Sequence, residues 1–386
     1  MFLMKIFFTN KFFYSVVTFI LFLFASHVYA EKIDHSHHGG NHDMSAHSGH
    51  DTATASMHVH HEHGAGGFMF EYKLMRMNMK GLLNGTDSVS SESISGARRN
   101  MAERPIRADR FDYMMSPTKM TMDMHMLMAM YGVSEKISIM GMLHYLNNEM
   151  DMVMHMKMPN GMPMGDMFGT MDTSGIGDTR FDVMYQTNHH LTTSLGLSMP
   201  TGSIDEKITM KMNGINASTG VPMPTDTGRP IQAAYSMQLG SGTYDLIPAI
   251  TYNKNFDRWN LGGQAIYTYR IGENDNEYTL GNQFEVTAWG TYSVNPNFTL
   301  SSRINVLDWG KIDGQDPDIN PRMSSATDPD ATGGTRVDLL LGVSGHISKY
   351  HMLSLEVGAP VYQDLNGPQL KTDMLYAISY QYIYGD

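Results

Sequence analysis

The chain has 386 residues, 41% apolar and only 17% charged, with 37 Gly, 37 Met and no Cys. Soluble domains carry nearer to about 25% charged residues. The lack of cysteine excludes a disulfide scaffold, a Cys-based zinc site and a Cys nucleophile, and a formal net charge of −12 speaks against a nucleic-acid partner.

Residues 1–30 read as an export leader. Lys5 and Lys11 give a positive start, Phe12 to Phe24 is a nearly unbroken apolar run, and Val28-Tyr29-Ala30 offers small residues where a signal peptidase reads. The run is shorter than the roughly 20 residues a helix needs to span a bilayer, so cleavage after Ala30 is expected. That removes Lys5 and Lys11, leaving 27 − 2 = 25 basic against 39 acidic residues, a net charge of −14. Nothing later contains 18 consecutive apolar residues, so no transmembrane helix is expected.

Residues 31–66 are polar, rich in Gly and Ser, and too poor in large aliphatics to fold alone. A disordered periplasmic segment is expected there. It carries ten histidines, His35, His37, His38, His42, His47, His50, His58, His60, His61 and His63. Neutral imidazole binds copper, zinc and nickel, and protonated imidazole does not, so such a tract should release metal as pH falls through about 6.5.

From residue 67 to residue 386 the pattern has period two. Phe284, Val286 and Ala288 oppose Gln283, Glu285 and Thr287; Val337, Leu339, Leu341 and Val343 oppose Arg336, Asp338, Ser344 and His346. Met374, Tyr376, Ile378, Tyr380 and Tyr382 fall opposite Asp373, Ala377, Ser379 and Gln381. Alternation repeated over about ten residues signals strands with one apolar and one polar face. In an exported chain rich in Tyr it predicts a closed antiparallel transmembrane β-barrel in the cell outer membrane. A secreted β-sandwich or jelly roll would favour Val, Ile and Leu on its apolar face and use shorter strands of about five or six residues.

Short turns alternate with long polar connections. Strands laid between them run roughly 68–79, 118–131, 136–147, 178–187, 190–199, 243–253, 258–270, 281–293, 298–309, 334–348, 351–361 and 371–384. The count is twelve, with both ends in the periplasm and long loops outside. Ile204–Met212 and Ile231–Leu239 also alternate; they read as a hairpin rising from the third outer loop, and would make the count fourteen if they crossed the membrane.

With the apolar face toward lipid, the lumen receives Arg180, Asp182, Asp245, Glu285, Arg303, Arg336, Asp338, Glu356 and Asp373. Charges of both signs predict a polar, weakly selective interior, in a tube narrower than the sixteen-stranded porins that leave a wide aqueous channel.

Methionine occupies alternate positions: Met75, Met77 and Met79; Met120 through Met130, including Met122, Met124 and Met126; Met140 and Met142, followed by His144; and Met150 through Met158, including Met152, Met154 and Met156. Thioether is a soft ligand suited to Cu(I) and, by the same logic, Ag(I). Sulfurs two residues apart lie about 7 Å apart along a strand, so one ion would need methionines from adjacent strands. The alternation places Met75, Met77, Met79, Met140, Met142 and His144 inside. It leaves 118–131 open, because Thr121, Asp123 and His125 share a face with Leu127, Ala129 and Tyr131. Met also serves as a flexible apolar filler. The acidic outer stretch Asp313, Asp316, Asp318, Asp328 and Asp330 reads chiefly as a solvated loop, with a Ca²⁺ site built from its oxygen ligands as the alternative. No catalytic motif is present, so an enzyme is not expected, and no cofactor is required beyond a copper or silver ion as cargo or ligand.

Several stretches, Gly64-Ala65-Gly66-Gly67-Phe68-Met69, Gly175-Ile176-Gly177-Asp178-Thr179-Arg180, Pro200-Thr201-Gly202-Ser203-Ile204-Asp205-Glu206, Gln238-Leu239-Gly240-Ser241-Gly242-Thr243-Tyr244-Asp245 and Pro360-Val361-Tyr362-Gln363-Asp364-Leu365-Asn366-Gly367-Pro368 among them, resemble a Gram-negative outer-membrane family named for the meta-pathway of phenol degradation and often labelled transporters. The resemblance runs over about residues 64 to 384 and implies a barrel with a channel-like role. The chain departs from most such barrels in ending Tyr384-Gly385-Asp386 rather than on an aromatic residue. The leading expectation is an outer-membrane channel for small solutes, linked to copper or silver through the His tract and Met rows. The alternatives are a metal-sequestering protein whose barrel anchors the His-rich tail, and a channel for aromatic or hydrophobic molecules. The expected partners are outer-membrane lipid and a small solute or soft metal ion.

Overall fold

The computed structural model describes residues 65–95, 113–157, 163–209, 211–214, 225–226 and 229–384. The leader and the ten-histidine tract lie outside the described residues. Eleven strand elements close one antiparallel ring. Ten of them are β1 (Phe68–Gly85), β2 (Ser116–Ser134), β3 (Ile137–Lys157), β4 (Thr179–Asn188), β5 (Leu191–Met199), β6 (Tyr244–Asn255), β7 (Trp259–Ile271), β8 (Gln283–Asn295), β9 (Phe298–Trp309) and β10 (Gly334–Ser348). The eleventh, His351–Tyr384, is 34 residues long. Its residues 351–365 pair with β10 and its residues 369–384 pair with β1, both antiparallel. It therefore climbs and returns, turning at Gly367, whose φ of 78° favours glycine. Counting the two limbs as β11 (351–365) and β12 (369–384) gives 10 + 2 = 12 crossings. Each strand neighbours the next in sequence and β12 closes onto β1, an up-and-down barrel without free edges.

The short turns sit at one end. Two or three residues join β2 to β3, β4 to β5, β6 to β7, β8 to β9 and β10 to β11. Side-chain acceptors close several: Ser134 Oγ accepts from Ile137 N at 3.2 Å, Asn188 Oδ1 from His190 N at 2.9 Å, and Asn295 Oδ1 from Asn297 N at 2.9 Å. Aromatic side chains ring this end, among them Tyr131, Tyr185, Trp259 and Tyr350, with the Tyr350 ring tilted against those of Tyr382 and Tyr384. Phe68, Tyr72, Leu127, Ile139, Leu143, Phe181, Leu341 and Leu355 project outward above it. An apolar outer band flanked by aromatics is what an outer-membrane barrel presents to lipid.

One expectation is corrected at the outer end, and the reading of 204–212 and 231–239 as an outer-loop hairpin agrees with the observed pairing. Residues 148–177, read as a loop, are a β-hairpin: β3 runs 21 residues and returns as Pro163–Ile176, with Met150 opposite Met171 and Met154 opposite Met167. The alternation persists beyond the membrane, so pairing continues there. The segments 204–212 and 231–239 do not cross the membrane. Lys207–Ile208 pairs with Ile231–Gln232 in a two-stranded outer hairpin, and Tyr235–Met237 is a 3-10 turn with Met237 fully buried.

Candidate transport lumen and outer pocket

The lumen has two unlike walls. On β1, β2 and β3 every second side chain points inward, and most are methionine. Strand pairing lines them into rows: Met69, Met130 and Met140; Met75 and Met124; Met77 and Met122 beside Asn148; and Met79, Met120, Met150 and Met171. The open orientation of 118–131 is thereby settled, with Met120 through Met130 inward. Thr121, Asp123 and His125 face outward above the lipid, where Arg76 Nε donates to Asp123 Oδ1 at 2.6 Å and Tyr72 Oη meets His125 Nδ1 at 2.8 Å. Met69, Met126, Met128, Met130, Met140, Met142 and Met184 form one buried cluster made of nothing but methionine. No methionine whose side chain is described is exposed. His144 lies in the row of Met126 and Lys73, with Nδ1 2.7 Å from the Asp178 carbonyl oxygen.

The other wall is built of ion pairs. Arg303 Nε donates to Glu356 Oε1 at 3.0 Å, Arg336 Nε lies 3.0 Å from Asp338, and Arg270 pairs with Asp245. Arg180 grips Asp182 with two hydrogen bonds, at 2.8 and 2.6 Å. Lys73 and Glu71, 3.4 Å apart, are both fully buried in the methionine wall. Glu285 faces Asn305 and Arg303. These five cations and six carboxylates sum to −1, so the interior is mixed in sign. Arg336 also reaches across to Thr372 Oγ1 at 2.9 Å and Met77 Sδ at 3.4 Å, tying the two walls together.

Asp373 is the exception among the expected lumen charges, because it is exposed. The register slips between Asn78 and Met79, which pair with Met374 and Thr372, so Asp373 is the extra residue of a β-bulge. Thr372 takes the inward place.

Outer loops cap the barrel. Tyr113 Oη donates to Asp328 Oδ2 at 2.6 Å, Asn276 Nδ2 to Asp205 Oδ1 at 2.9 Å, and Ser241 Oγ to Asp178 Oδ2 at 2.7 Å. Burial chiefly pushes the Tyr113 and Tyr278 hydroxyls above the usual phenol range. Beneath the cap is a cavity of about 170 Å3 lined by Met115, Met150, Met152, Met171, Ile208, Ile231 and Ala234, with Gln232, Asp318, Asn320, Ser324 and Thr327 among its polar lining. Sequence reasoning missed this pocket, because three separate loops assemble it. In the acidic outer loop Asp316 is buried and accepts from Gln232 and Asn276, while Asp328 accepts from Tyr113. Among the described residues no group of three His, Asp or Glu side chains could hold a metal ion.

No protein-family model matches the chain, and no curated protein is similar to it in sequence. Among solved structures it is similar to an outer membrane channel from Pseudomonas putida F1, at 12% identity over 84% of this chain and 97% of that one, with a TM-score of 0.52. The P. putida toluene transporter TodX (9% identity, 83% and 91% covered, TM-score 0.47) and the Ralstonia pickettii toluene transporter TbuX (10%, 84% and 90%, 0.43) are more distant in shape. The chain thus has the fold of an outer-membrane β-barrel. The finer resemblance to the meta-pathway family has no matching family model behind it.

Proposed function

We propose that this protein is an outer-membrane channel admitting small, uncharged apolar molecules of about the size of one aromatic ring. The observation that carries the reading is the outer pocket. Its volume of about 170 Å3 and its Met and Ile lining compare with an apolar cavity of about 150 Å3 known in another protein to bind benzene. Methionine suits a passage of this kind, since its unbranched side chain re-packs around irregular guests at little cost. The polar side chains among the lining leave the pocket a mixed surface through which a weakly hydrated solute can arrive. The fold shared with an outer-membrane channel supports the same reading.

The test is ligand binding to the purified full chain in detergent, with benzene and toluene as probes, compared with Ala234→Trp. Ala234 is buried in the pocket lining, and an indole there fills the space. Saturable binding that Ala234→Trp abolishes, with the barrel still folded by gel mobility, is expected. Equal binding by both chains, or none by either, refutes the pocket as the site.

A further inference from the structure

Beyond that reading, we propose that the methionine wall of β1, β2 and β3 is a binding site for a soft monovalent cation, Cu(I) or Ag(I), held by thioether sulfurs from adjacent strands.

The first observation is segregation. On the outward faces of β1 to β4 the apolar residues are Phe, Tyr, Leu, Ile and Val, such as Phe70, Leu127, Ile139 and Val183. On the inward faces of the same strands the buried apolar residues of the lower lumen are all methionine. If those positions needed only apolar volume, Leu, Ile and Val would serve, and the β-branched pair would suit a strand better. The chain uses them freely one residue away, so the inside calls for thioether side chains and not for apolar volume alone.

The second observation is register. Met69, Met130 and Met140 stand directly opposite one another on three neighbouring strands, and directly opposed side chains begin about 4.5–5.5 Å apart at Cβ. Three flexible thioethers at that spacing can converge on one ion. Successive rungs lie about 7 Å apart, too far to share it, so β2 carries a series of separate weak sites. Weak, repeated sites allow an ion to leave as well as enter.

The third is an oxygen. Asn148 is fully buried in the row of Met77 and Met122, and its Oδ1 has no hydrogen-bond partner. A buried acceptor without a donor marks a level where a bound cation or its water belongs.

Thioether carries no proton near neutrality, whereas imidazole is almost wholly protonated at pH 5. Equilibrium dialysis of the full chain carrying Met44→Leu and Met57→Leu, which removes the two methionines of the histidine tract, against Ag(I) in chloride-free buffer at pH 5 therefore isolates the remaining methionines from the tract. Retained silver is expected, with about one bound silver fewer per chain in the Met69→Leu, Met130→Leu, Met140→Leu triple variant, whose side-chain volumes are nearly conserved and which leaves the other rungs intact. Selenium-edge X-ray absorption on selenomethionine-labelled, silver-loaded protein provides a readout free of any variant and should show a silver neighbour of selenium. Silver released at pH 5, or bound without a selenium–silver contact, overturns the proposal. Neither readout depends on benzene or toluene binding, so this proposal and the channel reading fail separately.

Discussion

Replacing Arg180 by leucine removes both donors that Arg180 gives Asp182, at 2.8 and 2.6 Å, from a carboxylate whose side chain is 0% exposed. Each hydrogen bond to a charged group contributes about 1.5–3 kcal/mol, and breaking a buried pair from one side costs about 3–5 kcal/mol. Arg180→Leu should therefore destabilise the barrel by about 3–5 kcal/mol. The double variant Arg180→Leu, Asp182→Leu leaves no orphaned charge and should lie within about 1 kcal/mol of the parent. Gly196, opposite Asp182 on β5, adds a third corner. A Cβ there would stand 2.5 Å from Asp182 Oδ1 and 3.1 Å from Arg180 Nε, so Gly196→Ala should be costly in the parent and mild in the double variant. Urea titration of the refolded barrel in detergent, followed by heat-modifiable gel migration, measures all of these. Additive losses, with the double variant as weak as the sum of the singles, would refute the assignment of Arg180 and Asp182 as a coupled lumen pair.

Other consequences are as direct. A Cβ at Gly262 would collide with the Trp289 ring, so Gly262→Ala must displace an indole whose Nε1 donates to Asn260 Oδ1 at 3.1 Å. Overpacking of about 1–3 kcal/mol is expected, with a changed Trp289 emission in a chain where Trp259 and Trp309 are replaced by Phe; an unchanged spectrum would count against the packing. The folded cap keeps the Tyr113 and Tyr278 hydroxyls protonated, because burial raises both, whereas an opened cap would ionise them near pH 10. Cap stability from these groups is thus full below about pH 10 and falls as pH rises further. Absorbance at the tyrosinate band should show a delayed class of tyrosines, and protease should cut the outer loops more readily beyond that pH. A single ordinary titration with unchanged cleavage would contradict it.

How far the sequence alone discloses this molecule depends on where lipid is present. Between Phe68 and Leu74, or Ile137 and Tyr145, lipid makes one face apolar and period two locates both the strand and its inward side. Above that height the constraint lapses. The outward side of β2 turns polar at His125 and Asp123, so its alternation no longer says which face is inside, and only pairing to Arg76 and Tyr72 resolves it. For the same reason the β3 hairpin looked like a loop: Asn147, Glu149 and Asp151 replace the apolar outward residues while Met150 through Met156 continue within. Asp373 escaped because a one-residue bulge, invisible to a count by twos, hands its place to Thr372. The pocket depends on contacts such as Tyr113 with Asp328 and Gln232 with Asp316, 215 and 84 residues apart, and no local pattern encodes those.

The central claim is passage of small apolar molecules through the outer pocket. Its most direct test is the initial rate of toluene accumulation by cells whose outer membrane carries the full chain, its Ala234→Trp variant, or a chain lacking residues 31–63. Rapid uptake by the full chain and by the tail-deleted chain, with uptake reduced to the level of cells without the protein by Ala234→Trp, is the predicted result. Equal uptake by cells with and without the protein, or uptake that vanishes with the tail and survives the filled pocket, would contradict it.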